Sequence, residues 1–131
     1  MKTESKNLTL TLVSWLARLL ALGVFLLWGA FFVEHTQEWF VAPFPQWPPL
    51  KVCLGQALHL LLLVGLLVSL RWPRVGGVWV IVTAFAFFHG RAGARFPVFF
   101  ALTVLPAVAL LFCDWLRRRA RDREAMPDTG A

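Results

Sequence analysis

Few residues in this sequence could do chemistry. Three histidines, His35, His59 and His89, sit among long apolar runs. Glu34 and Glu38 flank the first, Gln56 lies one helical turn before the second, and Arg91 and Arg95 follow the third. An imidazole beside a carboxylate in apolar surroundings can form a buried polar pair, ligate a metal or haem iron, or relay a proton. Gly23, Leu27, Ala30, Glu34 and Glu38 follow the spacing of one helical face. Small residues usually line helix contacts in membranes, so that stripe predicts an inward Glu34. Gly55, His59, Leu62, Leu66 and Ser69 form a second stripe, which predicts an inward His59. His59 lies eight residues beyond Lys51, about 12 Å along a helix, and Glu34 lies about 9 Å from the end of a first helix continued to Phe40. The two therefore match in depth. The expectation is a polar cluster of Glu34 and His59, with His35 or His89 nearby, in the outer half of a bundle. A satisfied pair that fixes helix register is the plain structural alternative. His89, beside Gly90, reads as a solvated residue, while Arg91 and Arg95 neutralise Glu34 and Glu38 across the outer surface.

The elements that must hold these residues are apolar helices. The chain has 131 residues, of which 59% are hydrophobic and 15% charged, against roughly 45–50% apolar and about 25% charged in an ordinary soluble domain. Its mean hydropathy is +0.68. The apolar residues fall into four blocks near the roughly 20 residues needed to cross a bilayer. The spans predicted are 15–33, 52–70, 73–90 and 96–113, and the first has room to begin near Leu8 and run on to Phe40. The third is the weakest, because its purely apolar part covers only Val75 to Phe88. A cleaved signal peptide competes for the first block, but Arg18 interrupts the run and no A-x-A-like site follows, which favours a retained span. The proline-rich stretch from Val41 to Pro49 cannot stay helical and reads as an outer loop with Trp47 at the interface. Arg71-Trp72-Pro73-Arg74 reads as a tight inner turn with Pro73 at the first helical position, and Pro106 is expected to bend the fourth span. The fold class expected is all-α: an integral-membrane four-helix bundle, up-down-up-down.

Charge orients that bundle. Thirteen Lys and Arg stand against seven Asp and Glu, a net +6. Lys2, Lys6, Arg18, Arg71, Arg74, Arg117, Arg118, Arg119, Arg121 and Arg123 fall on one side of the four spans, and Lys51, Arg91 and Arg95 on the other. This is the positive-inside signature, which puts both termini in the cytoplasm and gives Arg18, Arg71, Arg74 and Arg117 to Arg119 a topological or lipid-binding role. Trp15, Trp72 and Trp115 fall at the inner boundary, Trp39 and Trp47 at the outer one, and Trp28 and Trp79 within spans as packing residues. The tail 117–131 is expected to extend the last helix briefly and then fray. Cys53 and Cys113 belong to opposite faces, too far apart for a disulfide.

The segment Glu34-His-Thr-Gln-Glu-Trp-Phe40, the proline-rich loop, His59 and Arg71-Trp-Pro-Arg-Val-Gly-Gly77 together resemble a family of small, uncharacterised bacterial membrane proteins. The likeness runs from about Arg18 to Leu116. It implies four helices, an EHxxEWF-like close to the first, a histidine in the second and a W-x-x-x-G-G turn into the third. It draws attention to Glu34, His35, Glu38 and His59 without giving them a role. Four-span drug exporters match less well, since they carry an acidic group within the first helix, where this chain has Arg18.

No H-E-x-x-H, G-x-S-x-G, phosphate-cradling glycine loop or CxxC is present, so no enzyme is expected. The reading is a small multi-pass protein of the bacterial inner membrane, accessory or structural. Its partners would be the lipid bilayer and another membrane protein or a second copy, with no nucleic acid. No cofactor is expected; the alternative is a haem- or metal-binding redox subunit using His35, His59 and His89. Proton or small-solute transport ranks lower, because the sequence lacks repeat symmetry and a second deep acidic group.

Overall fold

A computed structural model of the chain describes residues 2–41, 47–90 and 93–125. These residues form four α-helices and no strand: α1 (Lys2–Thr36), α2 (Leu50–Arg71), α3 (Pro73–His89) and α4 (Phe96–Ala125). A π-helical turn, Gln37–Val41, continues α1, and a 3₁₀ turn, Gly93–Arg95, leads into α4. Arg91 and the loop residues 42–46 lie outside the described residues, as does the part of the tail from 126 onward.

The helix boundaries follow from local chemistry. From Lys2 to Val41 there is no proline, and leucine and alanine favour the helix, so α1 runs 35 residues, about 52 Å, well beyond the expected 15–33. Pro49 precedes α2, and its carbonyl accepts the N–H groups of Val52 and Cys53 at 2.8 and 3.3 Å. A single residue, Trp72, separates α2 from α3; its N–H reaches the Val68 carbonyl at 2.7 Å, while its own carbonyl accepts the Gly76 N–H at 2.9 Å. Pro73 occupies the first turn of α3, where its missing N–H costs nothing. Helix α4 continues through the buried Pro106 and past Cys113 to Ala125.

Consecutive helices are antiparallel neighbours, and α4 closes the ring against α1. The pairings Phe32 with His59, His59 with Phe87, Phe88 with Phe99, and Trp28 with Phe99 all belong to one end of the bundle. Arg74 with Asp114 belongs to the other. The up-down-up-down topology is thereby set. Three helical segments, Leu8–Val41, Leu50–Arg71 and Gly93–Arg123, are long and apolar enough to cross a membrane; α3, at 17 residues, is shorter. The exterior is as apolar as the core: Leu16, Leu19, Leu26, Val78, Val82 and Leu105 each expose more than half their surface.

The buried face of α1 corrects one expectation. Ser14, Ala17, Ala21, Val24 and Trp28 are buried, whereas Gly23, Leu27, Ala30, Glu34 and Glu38 are exposed. The physical reason is Trp28. Its indole N–H donates to Thr103 Oγ1 of α4 at 2.9 Å, and Thr103 in turn donates to the Phe99 carbonyl at 2.8 Å. That contact fixes the rotation of α1, and the small pair Ala17 and Ala21, one turn apart, lies on the face it buries. Glu34 is about 120° round the helix from Trp28. The α2 stripe lies where its spacing predicts, with Gly55, His59, Leu62, Leu66 and Ser69 all buried.

Candidate functional site

The site is a cleft of about 320 Å³ between α1 and α2. Helix α1 and its π-turn contribute Trp28, Phe31, His35 and Trp39; α2 contributes Val52, Gly55, Gln56 and His59; α3 contributes Phe87. Each wall follows from helical spacing. Phe31, His35 and Trp39 stand at i, i+4 and i+8, and Val52, Gln56 and His59 at i, i+4 and i+7, so both sets line the groove between two antiparallel helices.

His59 forms the inner part of the cleft and is only 4% exposed. Phe32 and Trp28 meet its ring edge-on, with centroids at 5.5 and 6.0 Å, and Phe87 packs on it at 4.9 Å. Towards the outer end, the Gln56 amide nitrogen donates to the Phe32 carbonyl at 2.9 Å and to Thr36 Oγ1 at 2.6 Å, while the Thr36 hydroxyl donates to the same carbonyl at 2.7 Å. This network pins α2 to α1 immediately before the π-turn that carries Trp39. Irregular turns of this kind concentrate at functional sites. No Asp, Glu, Lys or Arg is among the lining residues, so the cleft holds no permanent charge.

The structure gathers part of the expected cluster and disperses the rest. His35, Gln56 and His59 share the cleft. Glu34 and Glu38 are exposed, do not line it, and are bridged by neither His59 nor Arg95 among the described residues. The pairing of Glu34 with His59 is therefore absent, because the two project from α1 and α2 in different directions. His89 is exposed on the α3–α4 side, stacked on Phe85 at 5.1 Å and edge-on to Phe96 at 6.1 Å. The three histidines do not converge, and among the described residues no group of three or more His, Cys, Asp or Glu could hold a metal ion. Cys53 and Cys113 are both free thiols.

At the opposite end of the bundle the basic residues assemble. Arg18 places its guanidinium over the Trp15 ring at 5.6 Å, and Arg119 does the same over Trp115 at 5.2 Å. Arg18 thus reaches along α1 towards that end, while Arg119 folds back one turn onto the ring of Trp115. Asp114, which the sequence reading passed over, accepts from Arg74 at 2.9 Å and from Arg118 at 3.0 Å, tying the start of α3 to α4. Its i,i+4 spacing to Arg118 was the available signal. Arg71 is exposed and Arg117 half-buried at the same end. Trp28 is the packing residue its place within a span predicts, and it walls the cleft as well. The rest of the aromatic wall, Phe31, Trp39 and Phe87, has no sequence signal for a cleft beyond helical spacing.

The chain matches no family model, no curated protein and no solved structure at a significant level.

Proposed function

We propose that this is a small multi-pass protein of the bacterial inner membrane, with both termini cytoplasmic and an accessory or structural rather than enzymatic role. The observation that carries the reading is the inverted exterior. Apolar side chains face outward along all four helices, and the basic residues of Arg18, Arg71, Arg74 and Arg117 to Arg119 collect at one end. A water-soluble bundle would present a polar outer face, whereas a lipid-facing one needs this surface and the positive-inside bias. At 17 residues α3 spans about 26 Å, within the range of transmembrane helices. The bacterial assignment rests on the resemblance carried by Glu34 to Phe40 and by the turn from Trp72 to Gly77. The partners under this reading are the bilayer, with anionic headgroups at the arginine-rich end, and another membrane protein or a second copy.

The test is topology. Reporter fusions at both ends of the chain should be active only in the cytoplasm, and the protein should leave membranes only in detergent. Reporters on opposite sides, or a protein soluble without detergent, would overturn the reading.

A second reading, haem or metal binding, is favoured by one observation, the shared cleft of His35 and His59. Two imidazoles are a minimal ligand set, and no lining Lys or Arg is available to meet haem propionates. A Soret band in the purified protein, lost in His59→Ala, would establish this reading; a colourless, metal-free protein would reject it. Transport has less support, since the fully buried Leu62, Leu66, Val80 and Leu110 fill the centre of the bundle.

A further inference from the structure

We infer that the α1–α2 cleft is a binding site for a neutral, lipid-soluble molecule with a flat ring bearing carbonyl oxygens, the chemistry of a quinone headgroup. The inference rests on the membrane reading above and adds a ligand class to it.

Four features of the cleft select this class. Its volume, about 320 Å³, is at the lower end of the roughly 300–1,000 Å³ typical of small-molecule sites, enough for one substituted ring with its tail left outside. Its walls are rings: Trp28, Phe31, Trp39 and Phe87, with the imidazoles of His35 and His59. Flat faces of this kind favour a planar guest in offset or edge-to-face contact. The lining contains no Asp, Glu, Lys or Arg, so a carboxylate, phosphate or ammonium would be desolvated there without a permanent counter-charge. That favours a neutral guest over an anionic or cationic one. Finally, besides the indole N–H groups of Trp28 and Trp39, the polar side chains of the lining are His35, Gln56 and His59. An imidazole both donates and accepts hydrogen bonds, and so suits a ring carbonyl or its reduced hydroxyl equally.

The mouth sets the route of entry. Phe31 is 42% exposed and His35 is also exposed at the rim. His35 lies six residues before Val41, about 9 Å along the helix from its end. Glu34 and Glu38, exposed on the same stretch of α1, put the opening level with the polar boundary of the bilayer, where a lipid-soluble guest can present its ring while its tail stays among the acyl chains.

The test uses the full-length protein in detergent with decylubiquinone as probe, read by quenching of tryptophan fluorescence, since Trp28 and Trp39 line the cleft. Saturable quenching is expected. His35→Leu, at an exposed rim position, should weaken it about threefold to tenfold, the worth of one hydrogen bond. Val52→Phe, which places a ring in the cleft, should abolish the saturable part. Decylbenzene, with the same tail and no carbonyls, should compete at least about threefold less well for the same reason. Quenching that does not saturate, that is unchanged in both variants, or that decylbenzene reverses as well as the quinone itself would overturn the inference. Helix content by circular dichroism identifies a variant that has merely unfolded. Detergent dependence of the wild type reports the membrane reading separately, so failure of binding alone leaves that reading standing.

Discussion

Where α2 turns into α3, the backbones touch: a Cβ added to Gly76 would overlap the Ser69 main chain, and one added to Gly77 would lie 2.6 Å from Leu111 of α4. At the other end α1 and α2 part around a cleft of about 320 Å³ walled by rings and two imidazoles. Thus α2 and α3 meet at backbone distance at one end, while at the other α1 and α2, though joined by the Gln56 hydrogen bonds, leave a cleft between them. Glycine allows the close end because a Cβ at position 76 would fall on the Ser69 main chain. Aromatic side chains prop the open end because they fill space without interdigitating completely. The first region has no room for an added methyl, and the second is where space remains for a ligand.

The largest expected effect tests the close end. Gly76→Ala should destabilise the fold by on the order of 3 kcal/mol, at the upper end for overpacking, because the clashing atoms are main chain and cannot rotate away. Gly23→Ala is the matched control. Nothing lies within 4 Å of a Cβ there, so the better helix propensity of alanine should leave stability unchanged or raise it by up to about 1 kcal/mol. Denaturant unfolding followed by circular dichroism in detergent measures both. Equal effects at the two glycines would mean that the Ser69 main chain does not crowd position 76.

That difference shows what a sequence exposes. The helices, the tight turn at Trp72 and Pro73 and the buried stripe of α2 were readable, since length, proline placement and spacing are local properties. The rotation of α1 was not. Two faces of α1 carry small residues, Gly23 with Ala30 and Ala17 with Ala21, and the choice between them falls to the hydrogen bond from Trp28 to Thr103, 75 residues away. The composition of the site depends on that rotation: it leaves Glu34 outside and places Phe31 and Trp39 on the wall. His59 and Gln56 were found because α2 has a single small-residue face.

A smaller effect is expected from the charge clamp at the close end. Asp114→Asn removes the carboxylate that holds Arg74 and Arg118, yet these arginine side chains are 55% and 53% exposed. Solvent screening limits such pairs to about 0–1 kcal/mol. Unfolding in detergent should register a loss within that range, diminished by added salt. A loss several times larger would mean that charge, and not the glycine contact, holds α3 in place.

The smallest expected quantity is a coupling energy of zero. In a double-mutant cycle of Glu34→Gln and His59→Leu, the losses should add to within about 0.3–0.5 kcal/mol, as for residues that share no contact. Glu34 is exposed on the outer surface of α1, while His59 is enclosed by Phe32, Trp28 and Phe87. Gln56→Leu with Thr36→Val provides the contrast. Their side chains meet at 2.6 Å over a shared carbonyl, so that cycle should show a coupling of about 0.5 kcal/mol or more. A coupled Glu34 and His59 would require α1 to turn by about a third of a revolution. Such a turn would draw Trp28 away from Thr103 and carry Phe31 and Trp39 off the cleft wall, so the open end of the bundle could not exist in the form described. The two cycles therefore test a single quantity, the rotation of α1, on which both the packing of the core and the composition of the cleft depend.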